Sequence, residues 1–497
     1  MRDPRWRPAR SGSDDSPTRP PELWTGRRLA LNALVEFERN RTFVADALEE
    51  LFDETGASGQ ERGFATELAN GCVRRMITLD LLIEPCVSRP RENIEDGLWI
   101  LLRLGVYQLL FMRGLAPHAA VHETVELANI IGMPRWQGMV NAVLRQVQRT
   151  FIPEGGLDER QIAGVENLTP DLLVTGFREV SSGAEGGESR IVYDALRLRE
   201  PLGGDPRRDL VAYLARTLSY PEWLVGRWRT AHGEEEALRL GAWFNTPGIM
   251  SLRVNLLRTD RETVLQELAS RAIAARAGDL PESIVLESSI PLAGFGPFQR
   301  GEVTVQDVSA MGAARLLDPQ PGERVWDVCA APGGKTTHLA ERMRNEGSVL
   351  ATDINPPRVW QVSSAAERLG LTNVASRLMS PESYDAPTEQ FDAILLDVPC
   401  SNTGVLGKRP EVRWRLSPSE FSELTVLQRR LLDLGISRLR PGGRLLYSTC
   451  SIEPEEDGLL IRNALGAHPD LSLRTEQFHR PGRPGDGGYQ ALIVRAG

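Results

Sequence analysis

The sequence predicts a multi-domain protein in which an all-α domain and a small α+β module precede a C-terminal α/β domain with a mostly parallel, doubly wound sheet. The length of 497 residues corresponds to about three domains of roughly 150 residues each. Apolar residues in the first part of the chain recur at three- and four-residue spacing, which is the pattern of packed helices. In the last part, short apolar runs alternate with helical segments, as parallel sheets require.

Composition and periodicity divide the chain into five segments. The N-terminal tail is rich in Arg, Pro, Ser and Asp, which favours disorder. The apolar stretch 97–112 contains Arg103 and is shorter than a membrane span, so we expect a buried core helix. The segment after the helical region has 12 acidic and 7 basic residues and many glycines, and we expect poor order around 181–189. The predicted segments are a disordered tail (1–26), an all-α domain (27–150), an acidic, glycine-rich insertion or linker (151–209), a small α+β module (210–300) and the α/β domain (301–497).

Composition and charge exclude several classes of protein. Hydrophobic content of 41% and charged content of 25% exclude a wholly disordered or collagen-like chain. The net charge of −9 argues against non-specific coating of nucleic acid, while a local arginine face can still bind RNA. Five cysteines without C-x-x-C spacing fit neither a disulfide framework nor a zinc site. The N-terminus has no apolar signal region, so we expect a reducing, cytoplasmic location. We also expect no metal, and no membrane, DNA or obligate protein partner.

A glycine-rich turn in the α/β domain is the strongest local signal. The apolar run RVWDVCA leads into Ala-Pro-Gly-Gly-Lys and then a helix, and such a turn binds ligands through backbone N–H groups. Its spacing is neither G-x-G-x-x-G nor the phosphate loop, which disfavours a dehydrogenase or an ATPase. Asp353 ends the next apolar run and either accepts the hydroxyls of a ribose or caps the following helix. Together these features indicate an adenosine-containing cofactor without a diphosphate, S-adenosylmethionine.

Two cysteines follow apolar runs and are expected at one edge of the sheet. One run ends in Asp397-Val-Pro-Cys400, and the other is followed by Thr449-Cys450. Ligands of open α/β sheets bind beyond the carboxyl ends of the strands, so both thiols should face one crevice. The two cysteines of the helical region, Cys72 and Cys86, are predicted to be structural.

This pair of thiols suits methylation of cytosine at C5. That carbon is a poor nucleophile until a thiolate adds to C6, and the resulting enamine then attacks the sulfonium methyl. Loss of the C5 proton and elimination of the thiol release the product. An acid beside N3 would assist the addition, which suits Asp397, and the base must leave its stack to reach the crevice. The residues alone do not decide which thiol attacks.

A basic and aromatic stretch begins shortly after Cys400. Its interleaved charges and indole ring suit backbone contact and base stacking on single-stranded RNA. The candidate RNA contacts are Lys408, Arg409, Arg413 and Trp414. The alternative is a charged loop with one packed tryptophan.

The last helix of the all-α region offers a second candidate RNA contact. Arg145 and Arg149 lie one turn apart on the same face. That face is either an ordinary solvated surface, which the sequence alone favours, or an RNA-contacting edge.

Several segments of the chain resemble known families. The last domain contains DVCAAPGGKTTHLAE, LLDVPCSNTGV, RPEVRW and YSTCSIEPEED, which resemble the signature segments of the Nol1/Nop2/Sun family of RNA (cytosine-5) methyltransferases, and VTVQDVSA fits the same family. The helical region, with LGVYQLLFMRGLAPHAAVHETVELA and VNAVLRQVQR, resembles the NusB-like RNA-binding domain. The resemblance covers most of the chain except 1–26 and 151–209. It implies a Rossmann-like methyltransferase domain, S-adenosylmethionine as cofactor and small-subunit rRNA as substrate. Methylation of tRNA or another rRNA, or a non-catalytic RNA-binding or assembly role, are the alternatives.

The resemblance also implies roles for single residues. Cys450 would attack C6, Cys400 would assist release of the enzyme from methylated RNA, and Asp397 would lie between cofactor and base. The implied cofactor-binding residues are Cys329, Ala330, Ala331, Pro332, Gly333, Gly334, Lys335, Asp353, Met379 and Asp397.

The loop after the third strand departs from the family pattern. Met379 falls where the family usually has an acidic residue near the adenine. Either Ser380 or Glu382 replaces that residue, or the adenine is held by packing alone. We therefore expect cofactor binding to be weaker than is usual in the family.

Overall fold

The computed structural model describes residues 24–40, 42–112, 114–181, 189–288, 290–292, 294–380, 385, 387–482 and 485–497. The described chain forms two compact units. The first holds the described residues up to Pro247 together with Gly407–Trp414, and the second holds Gly248–Leu406 and Arg415–Gly497. The short segment Gly407–Trp414 therefore belongs to the first unit, although the residues on both sides of it in the sequence belong to the second.

The helices are, in chain order, α1 Gly26–Asn40, α2 Val44–Thr55, α3 Gly59–Arg74, α4 Met76–Ile83, α5 Asp96–Leu110, α6 Pro117–Ile130, α7 Gln137–Phe151, α8 Leu210–Leu218, α9 Glu222–His232, α10 Glu234–Trp243, α11 Arg261–Ser270, α12 Gly296–Gln299, α13 Val308–Leu317, α14 Gly334–Arg342, α15 Pro356–Leu369, α16 Val412–Arg415, α17 Pro418–Arg438 and α18 Gly458–Leu465. The strands are β1 Asp158–Ile162, β2 Leu172–Ser181, β3 Ser189–Arg197, β4 Ser251–Val254, β5 Ala275–Ala277, β6 Ser283–Leu286, β7 Val303–Val305, β8 Arg324–Asp327, β9 Ser348–Asp353, β10 Val374–Leu378, β11 Phe391–Asp397, β12 Leu439–Thr449, β13 Leu471–His479 and β14 Gly488–Arg495. None of the helices that the structure describes is both long and apolar enough to cross a membrane.

Helices α1 to α7 form the helical domain of the first unit. Their apolar faces make one core, in which α5 is buried along nearly its whole length, as predicted for 97–112. Arg103 is the charged residue within the apolar stretch 97–112. It donates to the two carboxylate oxygens of Asp80 at 2.6 and 2.7 Å and to Glu38 at 2.6 Å, which compensates its charge within the core.

The tail predicted to be disordered is described only at its end. Residues 1–23 lie outside the described residues, and the last residue of the predicted tail, Gly26, is the first residue of α1.

The segment 151–209, predicted to be an insertion or linker, contains three strands among its described residues. Strands β1, β3 and β2 form an antiparallel sheet in that order. Leu173, Leu196 and Leu198 join the core of the helical domain. The acidic, glycine-rich turns dominated the composition of this segment, whereas its alternating apolar residues decide the structure. The glycine-rich residues 182–188 lie outside the described residues.

The predicted α+β module 210–300 does not fall within one unit. Helices α8, α9 and α10 belong to the first unit, and the antiparallel sheet β5-β6-β4-β7 belongs to the second. Hydrogen bonds explain the position of α8: the Tyr213 hydroxyl donates to the Leu172 carbonyl at 2.7 Å, and the Thr78 hydroxyl donates to the Arg216 carbonyl at 2.9 Å. These bonds attach α8 to β2 and to α4.

A seven-stranded sheet forms the centre of the second unit, as the alternation of strands and helices predicts. Its order is β10-β9-β8-β11-β12-β14-β13. The first five strands are parallel, and β14 and β13 add an antiparallel edge. Apolar clusters cover the sheet on both faces, one with α17 and α18 and the other with α13, α14 and α15. The predicted fold class, an all-α domain, a middle α+β module and a mostly parallel, doubly wound sheet, is confirmed.

Candidate functional site

Four adjacent parallel strands, β9, β8, β11 and β12, direct their carboxyl ends to one edge of the sheet. The order of the strands reverses between β8 and β11, and open α/β sheets bind their ligands at such a point. Backbone hydrogen bonds hold the strand ends in register: Val328 N–H donates to Leu395 at 3.0 Å, and Val398 N–H donates to Ser448 at 3.1 Å. The predicted cofactor turn and both predicted cysteine loops therefore begin at the same edge.

The turn between β8 and α14 has the tight backbone that its glycines predict. The Ala331–Pro332 peptide is cis, and Gly333 has a φ of 102°, in the left-handed region that glycine adopts at little cost. A Cβ atom on Gly333 would lie 3.1 Å from the Cα of Val362 in α15. Without side chains on its glycines, the turn presents backbone atoms at the edge of the sheet. Helix α14 begins directly after it.

Asp353, at the end of β9, contacts this turn. It is buried and accepts hydrogen bonds from the backbone N–H groups of Ala331 at 3.3 Å and Asn355 at 3.1 Å. Asn355 caps α15, with its side chain accepting from Arg358 N–H. The helix-capping alternative for Asp353 is therefore wrong, and its carboxylate stands beside the glycine-rich turn.

The two cysteines at the strand ends are in direct contact. The Sγ atoms of Cys400 and Cys450 lie 3.4 Å apart, as expected of thiols that face one crevice. The hydrogen bond with Cys450 and burial raise the pKa of the Cys400 thiol well above its usual value. Cys400 is buried, while Cys450 is partly exposed. Of the two thiols, Cys450 is the more accessible to a substrate.

Asn402 also contacts the Cys450 thiol. The thiol donates to Asn402 Oδ1 at 3.2 Å, and Asn402 Nδ2 donates to the Cys400 carbonyl at 2.7 Å. Asn402 has a φ of 58°, so a left-handed backbone turns its side chain onto the two cysteines. Asn402 was not among the predicted site residues, although an asparagine in a short polar loop is a known signal for left-handed backbone.

An ion pair lies at the end of β11. Lys335 Nζ is 2.7 Å from Asp397 Oδ2. Burial alone would lower the pKa of Lys335, but the charge of Asp397 and the hydrogen bond to it outweigh burial and raise that pKa. A charged lysine from the cofactor turn therefore stands beside the carboxylate that precedes the first cysteine.

Asp327 is a further acidic residue of the site that the sequence analysis did not single out. It ends β8, is fully buried, and accepts a hydrogen bond from the Thr336 hydroxyl at 2.7 Å. Burial raises the pKa of Asp327 to about 7, assisted by the charges of Asp397 and Asp353. Its other oxygen, Oδ1, has no hydrogen-bond partner among the described residues. An ammonium group on a ligand is the natural partner for such an oxygen.

The residues at this edge fit S-adenosylmethionine. Asp353 supplies a carboxylate for ribose hydroxyls, and the orphaned oxygen of Asp327 suits the ammonium of the methionine part. Gly334 leaves room beside the turn, since a Cβ on it would meet no atom within 4 Å. The described residues contain no cluster of His, Cys, Asp or Glu suited to a metal ion.

The side chain of Met379 is buried and packs in an apolar cluster with Trp326 and Val328. A contact of this residue with the adenine stays a prediction. Of the two proposed replacements, Glu382 lies outside the described residues. The backbone N–H of Ser380 donates to Asp385 Oδ1 at 2.7 Å, which brings an exposed carboxylate to this loop.

Arg413, predicted to contact RNA, is instead part of the interior of the first unit. Its guanidinium is fully buried and donates to the carbonyls of Arg74, Ser219 and Phe244 and to the Asn245 side chain. Burial lowers the pKa of Arg413 to about 10. The prediction of an RNA contact is wrong for this residue, because buried carbonyl groups bind its guanidinium where solvent and RNA do not reach.

The remaining residues of the basic stretch divide into two kinds. Trp414 packs against the helical core, and its indole N–H donates to the Val73 carbonyl at 2.9 Å, which matches the alternative of a packed tryptophan. Lys408 and Arg409 are exposed, and the Arg409 guanidinium lies 5.8 Å from the centre of the Phe43 ring. The first part of the stretch, Lys408 and Arg409, is therefore its most exposed part.

Arg145 and Arg149 lie on the exposed face of α7. Arg145 donates to Gln148 at 3.1 Å, and Arg149 donates to Gln146 at 2.8 Å. Neither hydrogen bond is to a carboxylate, so both charges remain available at the surface.

Arg253, on β4, was also missed by the sequence analysis and reaches the cofactor turn from the middle module. It is buried and donates to the Gly334 carbonyl at 2.6 Å, to Thr337 at 2.9 Å and to Glu341 at 2.8 and 3.0 Å. An arginine within a short strand pattern carries no signal of such a role, because its partners come from a distant helix.

Family models match the chain in three places. The description "16S rRNA methyltransferase RsmB/F" matches residues 314–491, the NusB family matches residues 25–149, and the ferredoxin-like domain of RsmF/B-like methyltransferases matches residues 220–293. Together the three matches follow the order of the helical domain, the middle module and the doubly wound sheet.

Relatives extend this similarity over nearly the whole chain. A protein of Bacillus subtilis (strain 168) named "Probable ribosomal RNA small subunit methyltransferase B" is 34% identical over 449 residues, which is 90% of this chain and 89% of that protein. The "Ribosomal RNA small subunit methyltransferase B" of Escherichia coli O1:K1 / APEC is 32% identical over 483 residues, 92% of this chain and 99% of that one. Among solved structures, a methyltransferase homolog protein from Pyrococcus horikoshii is 28% identical with a TM-score of 0.51, over 58% of this chain and 99% of that one. The crystal structure of PH0851 has a TM-score of 0.71 at 24% identity, over 96% of this chain and 99% of that one, and is similar in fold.

Proposed function

Because the chain belongs to the RsmB/F family of 16S rRNA methyltransferases, and is an S-adenosylmethionine-dependent methyltransferase of small-subunit rRNA, we propose that it methylates C5 of a cytosine through a covalent adduct with Cys450. The observation that carries this proposal is the pair of thiols, 3.4 Å apart, beside the ion pair of Lys335 and Asp397. A thiol pair at a strand end has no use in methyl transfer to a ring nitrogen or a ribose hydroxyl. It suits a carbon that must first be activated.

The cofactor supplies an electrophilic methyl group on a sulfonium. We assign its ribose to Asp353 and its ammonium to Asp327, and its methionine part to the turn that runs from Cys329 to Lys335. Asp385 is the exposed carboxylate that we assign to the adenine side, in place of Met379. The ion pair with Lys335 keeps Asp397 oriented at the junction between cofactor and base.

The reaction uses the two thiols in turn. The Cys450 thiolate adds to C6, and the electron pair of the C5–C6 double bond becomes available at C5 for attack on the methyl group. A proton then leaves C5, and the bond between C6 and Cys450 Sγ breaks to restore the double bond. Cys400 lies close enough to act in this release step. Asp397 is assigned to N3, where its carboxylate would stabilise the proton that N3 takes up as Cys450 adds, which lowers the barrier to the first addition.

The exposure of the two thiols supports this assignment of roles. Cys450 is partly exposed and able to meet a base that has left its stack, whereas Cys400 is buried behind it. The raised pKa of Cys400 disfavours its thiolate, which suits a role other than the attack on C6.

The substrate contacts that we propose are Lys408, Arg409, Arg145 and Arg149, all of which are exposed. An rRNA substrate and five free cysteines support a reducing, cytoplasmic location. Methylation of tRNA or of another rRNA is the alternative within the same chemistry.

The deciding experiment incubates the purified protein with labelled S-adenosylmethionine and unmodified small-subunit rRNA, followed by bisulfite sequencing. We expect one or more cytosines to resist conversion. We expect Cys450→Ser to abolish methylation and Cys400→Ser to accumulate a protein–RNA adduct on denaturing gels. Cys72→Ser, in the helical core, is the control and keeps activity.

Two results would contradict the proposal. Equal residual activity of Cys450→Ser and Cys400→Ser, with no adduct in either, would remove the assigned roles. Methyl label on a base other than cytosine would remove the C5 chemistry, and label on tRNA alone would favour the alternative substrate.

A further inference from the structure

A buried carboxylate that the proposed reaction does not use lies behind the two cysteines. Glu456 precedes α18 and is fully buried. Its Oε1 accepts hydrogen bonds from Ser401 N–H at 2.9 Å and from the Gln428 side-chain amide at 2.8 Å. Its Oε2 accepts from the hydroxyls of Ser401 and Ser451. The Gln428 amide also donates to the Pro399 carbonyl at 2.9 Å, so the same network holds the chain on both sides of the first cysteine.

The two serines are the chain neighbours of the two reactive cysteines. Ser401 follows Cys400, and Ser451 follows Cys450. Both serines are buried, and their hydroxyls lie 3.1 Å apart. One carboxylate therefore connects the loops after β11 and β12 at the positions next to the thiols.

A neutral side chain of the same shape does not replace this carboxylate without loss. Both oxygens of Glu456 accept hydrogen bonds, whereas an amide has one accepting oxygen. An NH2 group in place of Oε1 would face the backbone N–H of Ser401, and in place of Oε2 it would force the hydroxyls of Ser401 and Ser451 to turn. Burial of a charge is costly unless hydrogen bonds compensate it. Four donors compensate the charge of Glu456, two at each oxygen, so this position requires a side chain with two accepting oxygens.

We propose that Glu456 is a positioning residue that sets the separation of the Cys400 and Cys450 thiols by holding the residue that follows each of them. This inference rests on the proposed two-cysteine reaction and adds a residue to it. Gly404 N–H donates to the Cys450 carbonyl at 2.9 Å and joins the same loops further along. The carboxylate therefore adjusts the spacing of the thiols, while the backbone keeps the loops together.

The two chemical steps depend on this spacing to different degrees. Addition to C6 uses the Cys450 thiol alone, whereas release uses both thiols at once. A misplacement of about 1 Å between reacting groups can cost about a hundredfold in rate. Loss of the carboxylate should therefore slow release more than addition, and adduct should accumulate.

The first test compares Glu456→Gln with Asp457→Asn as a matched control. Asp457 is the adjacent buried acid and accepts from Thr449 at 2.6 Å, with no described hydrogen bond to either serine. Burial raises the pKa of Asp457 well above its usual value, and an asparagine keeps an oxygen that can accept the hydrogen bond from Thr449. We expect Glu456→Gln to lower kcat about tenfold or more, with unchanged KM for RNA and more adduct on denaturing gels. Asp457→Asn should match the wild type.

The second test measures the thiol pair without methylation. Phenylarsine oxide binds two neighbouring thiols: arsenic forms two As–S bonds, and its oxygen leaves as water with the two thiol protons. We expect the wild type to bind one arsenic at this pair, Cys400→Ser to lose that binding, and Glu456→Gln to bind at least about tenfold more weakly, or about 1.4 kcal/mol. Ser451→Ala, which removes one donor, should lie between the wild type and Glu456→Gln.

These readouts separate failure of the inference from failure of the proposed function. Wild-type arsenic affinity in Glu456→Gln, together with wild-type kcat and adduct level, would overturn the role of Glu456. A wild type that binds arsenic at this pair but methylates no RNA would overturn the proposed function alone. A Glu456→Gln variant that loses kcat without weaker arsenic binding or more adduct would also overturn the inference, because a general structural defect then explains the loss.

Discussion

Two fully buried arginines, one in each unit, show two ways of keeping a guanidinium inside a protein. Arg413 of the first unit donates to three backbone carbonyls and to an amide oxygen. Arg253 of the second unit donates to a carboxylate, Glu341, and to the carbonyl at the start of α14. The described hydrogen bonds of the first arrangement all go to neutral dipoles, while the charge of Glu411 also acts on Arg413. The second arrangement pairs the guanidinium directly with a carboxylate beside the cofactor turn.

This difference predicts which arginine, when substituted, lowers the free energy of unfolding more. Loss of Arg413 frees the neutral acceptors of its described hydrogen bonds, which water or small shifts of the backbone can satisfy, and removes a positive charge from the surroundings of Glu411. Loss of Arg253 leaves the carboxylate of Glu341 buried without its counter-charge. An uncompensated buried charge costs more than an unpaired carbonyl, so the second unit is the more sensitive of the two.

The largest expected effect is that of Arg253→Met. Removal of one partner of a buried ion pair destabilises a protein by about 3–5 kcal/mol, and here it also releases the carbonyl of Gly334. We expect a lower denaturant midpoint for the second unit and weaker S-adenosylmethionine binding by calorimetry. The double variant Arg253→Met/Glu341→Leu should recover much of the stability, and a further loss in the double variant would contradict the ion-pair explanation.

Arg413→Met should cost less. An unsatisfied buried hydrogen-bonding group costs about 1–3 kcal/mol, and we expect a loss in that range for the first unit. Hydrogen exchange of α4 and α8 in the full-length protein measures it, with α14 as the internal reference. A loss of stability larger than that of Arg253→Met would contradict this explanation. The hydrogen bonds to neutral carbonyls would then stabilise the protein more than the buried ion pair does.

The charge of Arg253 also acts on His338, which contacts Glu282, and we expect both residues to make stability depend on pH. Burial lowers the pKa of His338 to about 4, and the charge of Arg253 acts in the same direction. Burial would raise the pKa of Glu282, but its hydrogen bond with His338 and the charge of Arg315 lower it to about 2.

The sign of the pH effect follows from these two values. From about pH 6.5 to 4 the unfolded chain binds a proton at His338 that the folded chain does not, so stability falls as the pH falls. Glu282 adds a further loss from about pH 4.5 to 2, where the unfolded chain protonates it first. We expect His338→Gln to flatten the upper part of this decline in denaturant titrations, and an unchanged slope above pH 5 would exclude His338 as its source.

The smallest effect on stability should be that of Arg145→Ala and Arg149→Ala. Both residues are exposed, and surface substitutions change stability by about 0.5 kcal/mol or less. If they contact phosphates, each variant should weaken RNA binding and lower the salt slope by about 1. A filter-binding series at several salt concentrations measures this, with Arg208→Ala, exposed before α8, as the control. An unchanged slope would leave α7 as an ordinary solvated face.

The sequence predicts the centre of the site better than its surroundings. Asp353, Cys400 and Cys450 follow apolar runs, and parallel strands bring such positions to one edge by a general rule. Lys335 follows from the turn in the same way. These residues could be found because local pattern and sheet topology decide their position.

The residues that support the site could not be found in this way. Arg413 and Trp414 look like surface residues because their neighbours are charged, and only their distant partners show that Arg413 is buried and that Trp414 packs against the helical core. Glu456 and Arg253 act through contacts that no local pattern records. The sheet of β1 to β3 was missed for a related reason, since the composition of its turns obscured the apolar alternation of its strands.

Because Gly407–Trp414 belongs to the first unit, neither unit is encoded by one continuous stretch of the gene. A fragment that ends before residue 300 would lack the guanidinium of Arg413 on which four acceptors of the first unit depend. A fragment that begins there would carry this segment without the groups that bury it. No single crossover in the gene exchanges one unit intact, so recombination would have to transfer both together.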